Sequence, residues 1–320
     1  MRILITGGVG FIGHNVVRLL EAQGHECNVI DNFTNYGVVN PEELSYLFAE
    51  RGKKFKAQVH DVDIRNADLV DQTFLSFRPE MIIHLASFPR QKVVSADPAG
   101  SSQVMSTGLI NMLESSSRHN IKKFTYISSS MVYGDFEDNI REDAICNPQG
   151  QYGIMKLMGE LLVKDYTRRG YFDHVIIRPS AVYGELDVED RVVSKFMLAA
   201  IRNQTLKVNG ATERLDFTYV DDAAMGIVQA SLSANATNKT YNITKSHSRS
   251  LLDVANLAIK IVGNGRVECK DKDSEFPSRG ALNIDAARKD FNFNPMVEVE
   301  EGLQRYFNWF NSSPFWKSNL

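Results

Sequence analysis

The feature that most constrains this chain is a short apolar run, Ile3-Leu4-Ile5, followed at once by Thr6-Gly7-Gly8-Val9-Gly10-Phe11-Ile12-Gly13. A strand that breaks into a glycine turn and then opens a helix, here near His14, has few architectural solutions. Glycines carry no Cβ, so the backbone can approach a ligand closely, and the amides at the helix N-terminus then receive a pyrophosphate. The motif is weak alone and specific in this order of strand, turn and helix. It assigns Gly7, Gly10, Phe11, Ile12 and Gly13 to a dinucleotide.

The second apolar run ends at Asp31, 18 residues beyond Gly13. A carboxylate there, with Asn32 beside it, accepts hydrogen bonds from the adenosine ribose. A 2′-phosphate would be repelled by Asp31, and no Arg or Lys lies between Asp31 and Arg51 to receive one, so NAD is the expected cofactor. Asp63-Ile64 follows a third strand, where an acid and an apolar side chain would sandwich the adenine, with Asp61 as a competing acid. The fourth strand ends in His84-Leu85-Ala86-Ser87; its small residues admit a cofactor to the backbone, whereas His84 reads as structural.

Apolar runs at 3–5, 28–30, 81–83, 124–127 and 174–177 alternate with amphipathic stretches such as 68–77. Strands apolar on both faces, separated by helices, build a doubly wound parallel sheet of the α/β class. After Arg178-Pro179 the pattern loosens. The expected division is a dinucleotide-binding domain over 1–178 and a smaller α/β substrate region over 179–320. No clean linker separates the two, so they interleave, with later segments returning to the first.

Thirty-six Lys and Arg against 39 Asp and Glu, without a long like-charge run, leave no electrostatic footprint for nucleic acid or an anionic membrane. No apolar stretch approaches the ~18 residues of a membrane span, and the chain opens directly on its first strand, so a cytoplasmic protein is expected. Cys27, Cys146 and Cys269 stand far apart with no CxxC spacing, which fits reduced thiols and predicts no metal site.

The chemistry is carried by two further segments. Tyr152 and Lys156 lie four residues apart on a predicted helix, so phenol and ammonium share a face. A nearby cation lowers a phenol from its ordinary pKa near ~10 and makes it a general base. The strand over 124–127 delivers Ser128-Ser129-Ser130 to the carboxyl edge of the sheet, where open α/β folds bind ligands.

Taken in order, the glycine turn, Asp31, Asp63-Ile64, His84-Leu85-Ala86, Ser128 to Gly134, Tyr152 to Lys156, Arg178-Pro179 with Tyr183-Gly184, and Phe217 to Asp222 resemble the extended short-chain dehydrogenase/reductase family. The resemblance covers nearly all of the chain and is strongest to the nucleotide-sugar epimerases and dehydratases. It implies a Rossmann-type sheet, Ser129 four residues before Tyr133 as the catalytic hydroxyl, Tyr152 as base, Lys156 on the nicotinamide ribose, and Ser130 near the sugar. Dehydratases of the family resemble Asp-Glu where this chain has Ser130-Met131, and decarboxylases keep an acid at the position of Met131. The resemblance therefore implies epimerisation of a nucleoside-diphosphate sugar through a transient 4-keto intermediate, with C4 the favoured carbon. The same residues would serve a 4-dehydrogenase or ketoreductase that turns over its cofactor, and the fold alone also fits a non-catalytic NAD-binding protein.

Family members hold the diphosphate with arginines. Arg279 matches one such position, and Arg214 stands beside another that Leu215 occupies. Ala181 and Met105 fall where the family commonly has Asn. Arg90 and Lys92, in an unusually basic loop, are candidates for a substrate phosphate or the carboxylate of a uronic acid, with solvated loop charges the alternative. The resemblance also implies a homodimer paired through the helices that begin near Pro98 and Tyr152.

Overall fold

The computed structural model describes residues 1–36 and 39–319. The chain forms β1 (Arg2–Thr6), α1 (Gly13–Ala22), β2 (Glu26–Asp31), α2 (Pro41–Gly52), β3 (Gln58–Asp61), α3 (Ala67–Phe77) and β4 (Met81–His84). Short helices α4 (Gln91–Ala96) and α5 (Pro98–Ser102) run through a π-helical turn, Gln103–Gly108, into α6 (Leu109–Arg118). Then come β5 (Lys123–Ile127), a 3-10 turn over Ser130–Tyr133, α7 (Gly150–Arg168) and β6 (Asp173–Pro179). The remainder comprises β7 (Val182–Tyr183), α8 (Val192–Ile201), β8 (Thr205–Asn209), β9 (Arg214–Asp216), β10 (Thr218–Tyr219), α9 (Val220–Leu232), β11 (Lys239–Ile243), β12 (Ser248–Ser250), α10 (Leu251–Val262), β13 (Arg266–Lys270), α11 (Asp285–Phe291), α12 (Val299–Ser312) and α13 (Pro314–Asn319).

The apolar runs become the central sheet because each strand buries both faces. Ile3 and Ile5 point to one side, with Val29, Ile83 and Ile177, against Val16, Val17 and Leu20 of α1 and Ile227 of α9. Leu4 points to the other, with Ile30, Ile82 and Phe124, against Phe74 of α3, Met112 of α6 and Val163 of α7. This two-residue alternation is why a continuous apolar run serves a sheet covered on both sides.

Seven strands lie in the order β11-β6-β5-β4-β1-β2-β3, every neighbouring pair parallel. The order reverses between β1 and β4, so a crevice opens beyond their carboxyl ends, where open α/β sheets take ligands. β11 enters this sheet from beyond residue 179, and α9 packs on α1. A separate core gathers Phe196, Met197, Leu206, Val254, Leu303, Tyr306, Phe310 and Trp316 from α8, β8, α10, α12 and α13. The short strands β9, β10 and β12 carry too few apolar positions to be read from periodicity.

Candidate active site

The glycine turn closes on itself: the Gly7 amide donates to Ile30 O at 2.8 Å and the Gly10 amide to Gly7 O at 3.0 Å. Gly7 has φ +71°, and a Cβ there would stand 2.8 Å from the Ala86 amide nitrogen; one on Gly13 would stand 2.1 Å from Gly7 O. The small Ala86 lies over the turn for the same reason. Asp31 at the end of β2 accepts from the Val9 amide at 2.9 Å and from the Phe33 amide at 3.0 Å, which ties turn to strand. Burial pushes its carboxyl up, and these amides offset part of that. Asn32 donates to Asp63 at 3.4 Å, and Arg65 grips Asp63 at 2.5 Å and, chiefly through its hydrogen bonds, pulls that carboxyl down. Ile64 is buried, its Cδ1 2.6 Å from where a Gly108 Cβ would lie. The Leu85 amide donates to Thr6 O at 3.0 Å, and Tyr36 donates to Ser87 O at 3.2 Å.

A tight turn that has room only for glycine at positions 7, 8, 10 and 13, with a carboxylate at the end of the next strand, fits a dinucleotide. Arg51, the first cation after Asp31, offers no fork to a 2′-phosphate. Its Nη2 donates to Leu186 O at 2.7 Å, its Nε to the same oxygen at 3.1 Å and its Nη1 to Val9 O at 3.5 Å. His84 is buried against Thr6 Oγ1 at 2.8 Å and, through burial above all, pulled down to about 3, which makes it a neutral packing residue.

Ser129, Tyr152 and Lys156 converge at the carboxyl end of β5. Ser129 caps the 3-10 turn, its Oγ accepting from the Met131 amide at 3.2 Å, and it faces the Tyr152 phenol closely enough to help hold that phenol down. Burial pushes that phenol up, while the Arg191 charge and the Ser129 bond pull it down. Lys156 Nζ donates to Ile127 O at 2.8 Å and sits 5.8 Å from the Tyr152 ring centre. Burial draws the ammonium down to about 7, opposed by Glu160. Arg191 thus adds a positive charge that favours the ionised phenol, and sequence spacing did not single it out because it enters from the loop over 184–191.

On the sugar side, Ser130 is buried within the turn. Arg90 pairs with the Asp190 side chain and carbonyl, and Lys92 pairs with Asp273 at 3.0 Å. Arg214 donates to Ser248 Oγ at 2.9 Å and lies 3.4 Å from Asp138. Arg279 lies on a bridge to Phe136, and burial draws its guanidinium down to about 10. Arg90 and Arg279 each keep a buried Nε with no partner among the described residues, donors suited to an anion. Ala181 adopts φ +36°, a left-handed conformation that Asn tolerates better than Ala. Met105 is buried with Phe88, Val93 and Val94, against Tyr152 and Met155, so it shapes the wall beside the phenol.

A glycine turn fit for a dinucleotide, joined to a Ser-Tyr-Lys set in which Ser129 and Lys156 are buried and Tyr152 half-buried, defines a nicotinamide-dependent enzyme of the α/β class. The profile of the NAD dependent epimerase/dehydratase family matches residues 3–244, and the chain belongs to that family. A Methanocaldococcus jannaschii protein provisionally named UDP-glucose 4-epimerase is 30% identical, over 97% of this chain and 99% of its own. The Bacillus cereus UDP-glucuronic acid 4-epimerase, solved with UDP-glucuronic acid and NAD, superimposes with a TM-score of 0.88 at 26% identity, covering 97% of this chain and 98% of that one. The Thermotoga maritima UDP-glucose 4-epimerase with UDP-glucose gives a TM-score of 0.87 at 25% identity, over 97% and 99%. Among the described residues no helix is long and apolar enough to cross a membrane.

Proposed function

We propose that the protein interconverts the C4 epimers of a nucleoside-diphosphate sugar, with a uridine nucleotide and a uronic acid as the favoured substrate. The observation that carries the reading is the approach of Ser129 to the half-buried Tyr152, one helical turn from Lys156, beside a turn with Ser130-Met131 and no acid. Gly7, Gly10, Phe11, Ile12 and Gly13 hold the pyrophosphate, Asp31 and Asn32 the adenosine ribose, Asp63 and Ile64 the adenine, and Leu85, Ala86 and Ser87 line the approach to the nicotinamide. NAD held by these residues would supply the hydride acceptor, and then the hydride donor, that oxidation and reduction at C4 require.

Tyr152 Oη takes the proton of the C4 hydroxyl while Ser129 Oγ orients that oxygen, and the same proton returns when the ketone is reduced. Lys156 holds the nicotinamide ribose. Met131 neither removes a proton from carbon nor assists loss of water, so the 4-keto sugar has only reduction open to it. Arg279 and Arg214 hold the diphosphate. Arg90 and Lys92 flank the sugar, and the positive charge that Arg191 presents to Tyr152 favours a sugar carrying a carboxylate.

Ile110 on α6 and Ile154 and Leu161 on α7 are exposed apolar residues, which supports pairing of two copies through these helices. The three thiols are free, in keeping with work in the cytoplasm.

The purified protein, without added cofactor, is incubated with UDP-, GDP-, CDP- and dTDP-sugars including uronic acids. Stereochemistry is followed by NMR and reduced nicotinamide by absorbance. A new C4 epimer without net NADH is the expected result. Product formed only with stoichiometric turnover of added cofactor would instead make the protein an oxidoreductase.

A further inference from the structure

Glu160 lies one turn beyond Lys156 on α7 and is fully buried. Its Oε1 accepts from Ser128 Oγ at 2.5 Å and from Arg178 Nε at 2.9 Å, and its Oε2 accepts from Arg178 Nη2 at 2.7 Å. Arg178 also donates to Tyr133 OH at 2.8 Å and to Glu142 O at 3.1 Å, and Tyr133 donates to Asn242 at 2.8 Å. The network therefore grips both ends of the segment that presents Ser129: Ser128 before it and Tyr133 after it. A buried ion pair is poor evidence of stability, since apolar residues of similar volume often serve as well.

The surroundings of Lys156 show what the charge does. Its titratable neighbours are Tyr152 and Glu160 on its own helix, Tyr126 on β5 and His84 on β4. Burial pushes both phenols up and keeps His84 neutral. The hydrogen bond of Nζ goes to a neutral carbonyl. Among the described residues, Glu160 is the anion that favours the ammonium.

We propose that Glu160 is a positioning residue of this site: its carboxylate, one turn from Lys156 on the same helix, favours the ammonium there, and its bond to Ser128 fixes the start of the turn that carries Ser129. The assignment rests on the epimerase reading for its kinetic consequence and, for the state of Lys156, on the burial of Glu160 one helical turn away.

The test uses the full-length protein with its cofactor, as parent, as Glu160→Gln, and as the double variant Glu160→Gln/Arg178→Met. The last removes the pair together, in case a lone buried Arg178 prevents folding. Lysine labelled with carbon-13 at Cε reads Lys156 directly by NMR, its signal assigned by its loss in Lys156→Met. In either folded variant the Lys156 midpoint is expected to fall by about one pH unit or more, a tenfold easier loss of the proton. The alkaline limb of kcat moves with it while KM changes less, and Glu160→Asp restores most of the parent's midpoint. An unmoved midpoint in a folded variant overturns the proposal. If the midpoint moves while the parent turns over no sugar nucleotide, the Glu160 assignment stands and the epimerase reading is what fails.

Discussion

Lys156 shows how a buried charge ties catalysis to stability. Its ammonium, ordinarily near 10.5, is drawn down to about 7 by burial. Between those values the unfolded chain binds more protons than the folded one, so this group's contribution makes stability rise with pH across that window. Below about pH 7 the folded protein bears the whole penalty of the buried cation. In denaturant titrations of cofactor-free protein, the parent is expected to gain stability from pH 7 to pH 10 with a slope of up to about 1.4 kcal/mol per pH unit from this group. Lys156→Met should lack that component; equal slopes in the two proteins would show that Lys156 is not perturbed. Tyr152 and Lys156 were legible because a four-residue offset puts them on one helix face, and Ser129 because the family resemblance counts it back four residues from Tyr133. Arg191 and Glu160 were not, because they meet the site through contacts between distant segments, of which local spacing carries no trace.

The position of α7 sets how far the Tyr152 phenol stands from the Ser129 hydroxyl. A Cβ on Gly153 would lie 2.6 Å from Met131 O, so the helix rests directly on the turn that carries Ser129. Gly153→Ala must push the two apart, next to Tyr152. The expected outcome is a fall in kcat of about tenfold or more, against a stability loss of about 1–3 kcal/mol as for other overpacked sites. Epimerisation rate and urea midpoint, measured together, check this; unchanged kcat would mean that α7 tolerates the shift. Strands β1, β2, β4, β5 and β6 of the central sheet were readable as apolar runs buried on both faces, whereas β3, Gln58–Asp61, has no buried residue. The π-helical turn over Gln103–Gly108 was not, because a shift in hydrogen-bond register leaves the apolar spacing almost unchanged. Met105, which lies in that turn, consequently appeared only as a departure from a family pattern rather than as part of the wall beside Tyr152.

Across the whole molecule, the division at residue 178 marks where the sequence pattern loosens but not where the sheet ends. β11 pairs with β6 along its full length, from Lys239 opposite Val175 to Ile243 opposite Pro179. α9 covers α1, burying Ala224, Ile227 and Val228 against the core. A fragment of residues 1–178 would leave the edge of β6 unpaired and this face of α1 bare, so it is expected to aggregate or remain unfolded. Circular dichroism and gel filtration of the fragment check this, and a monomeric, cooperatively melting fragment would contradict it. The pairing is hard to see in sequence because Tyr241-Asn242-Ile243 reads as a strand without saying which edge it joins. Arg51 binds the halves at a second point, holding Val9 O in the glycine turn and Leu186 O in the loop that leads to Arg191. Redesigning the region after Asp31 to accept a phosphorylated cofactor would disturb that clasp, so cofactor preference and sugar preference in this protein are a single engineering problem.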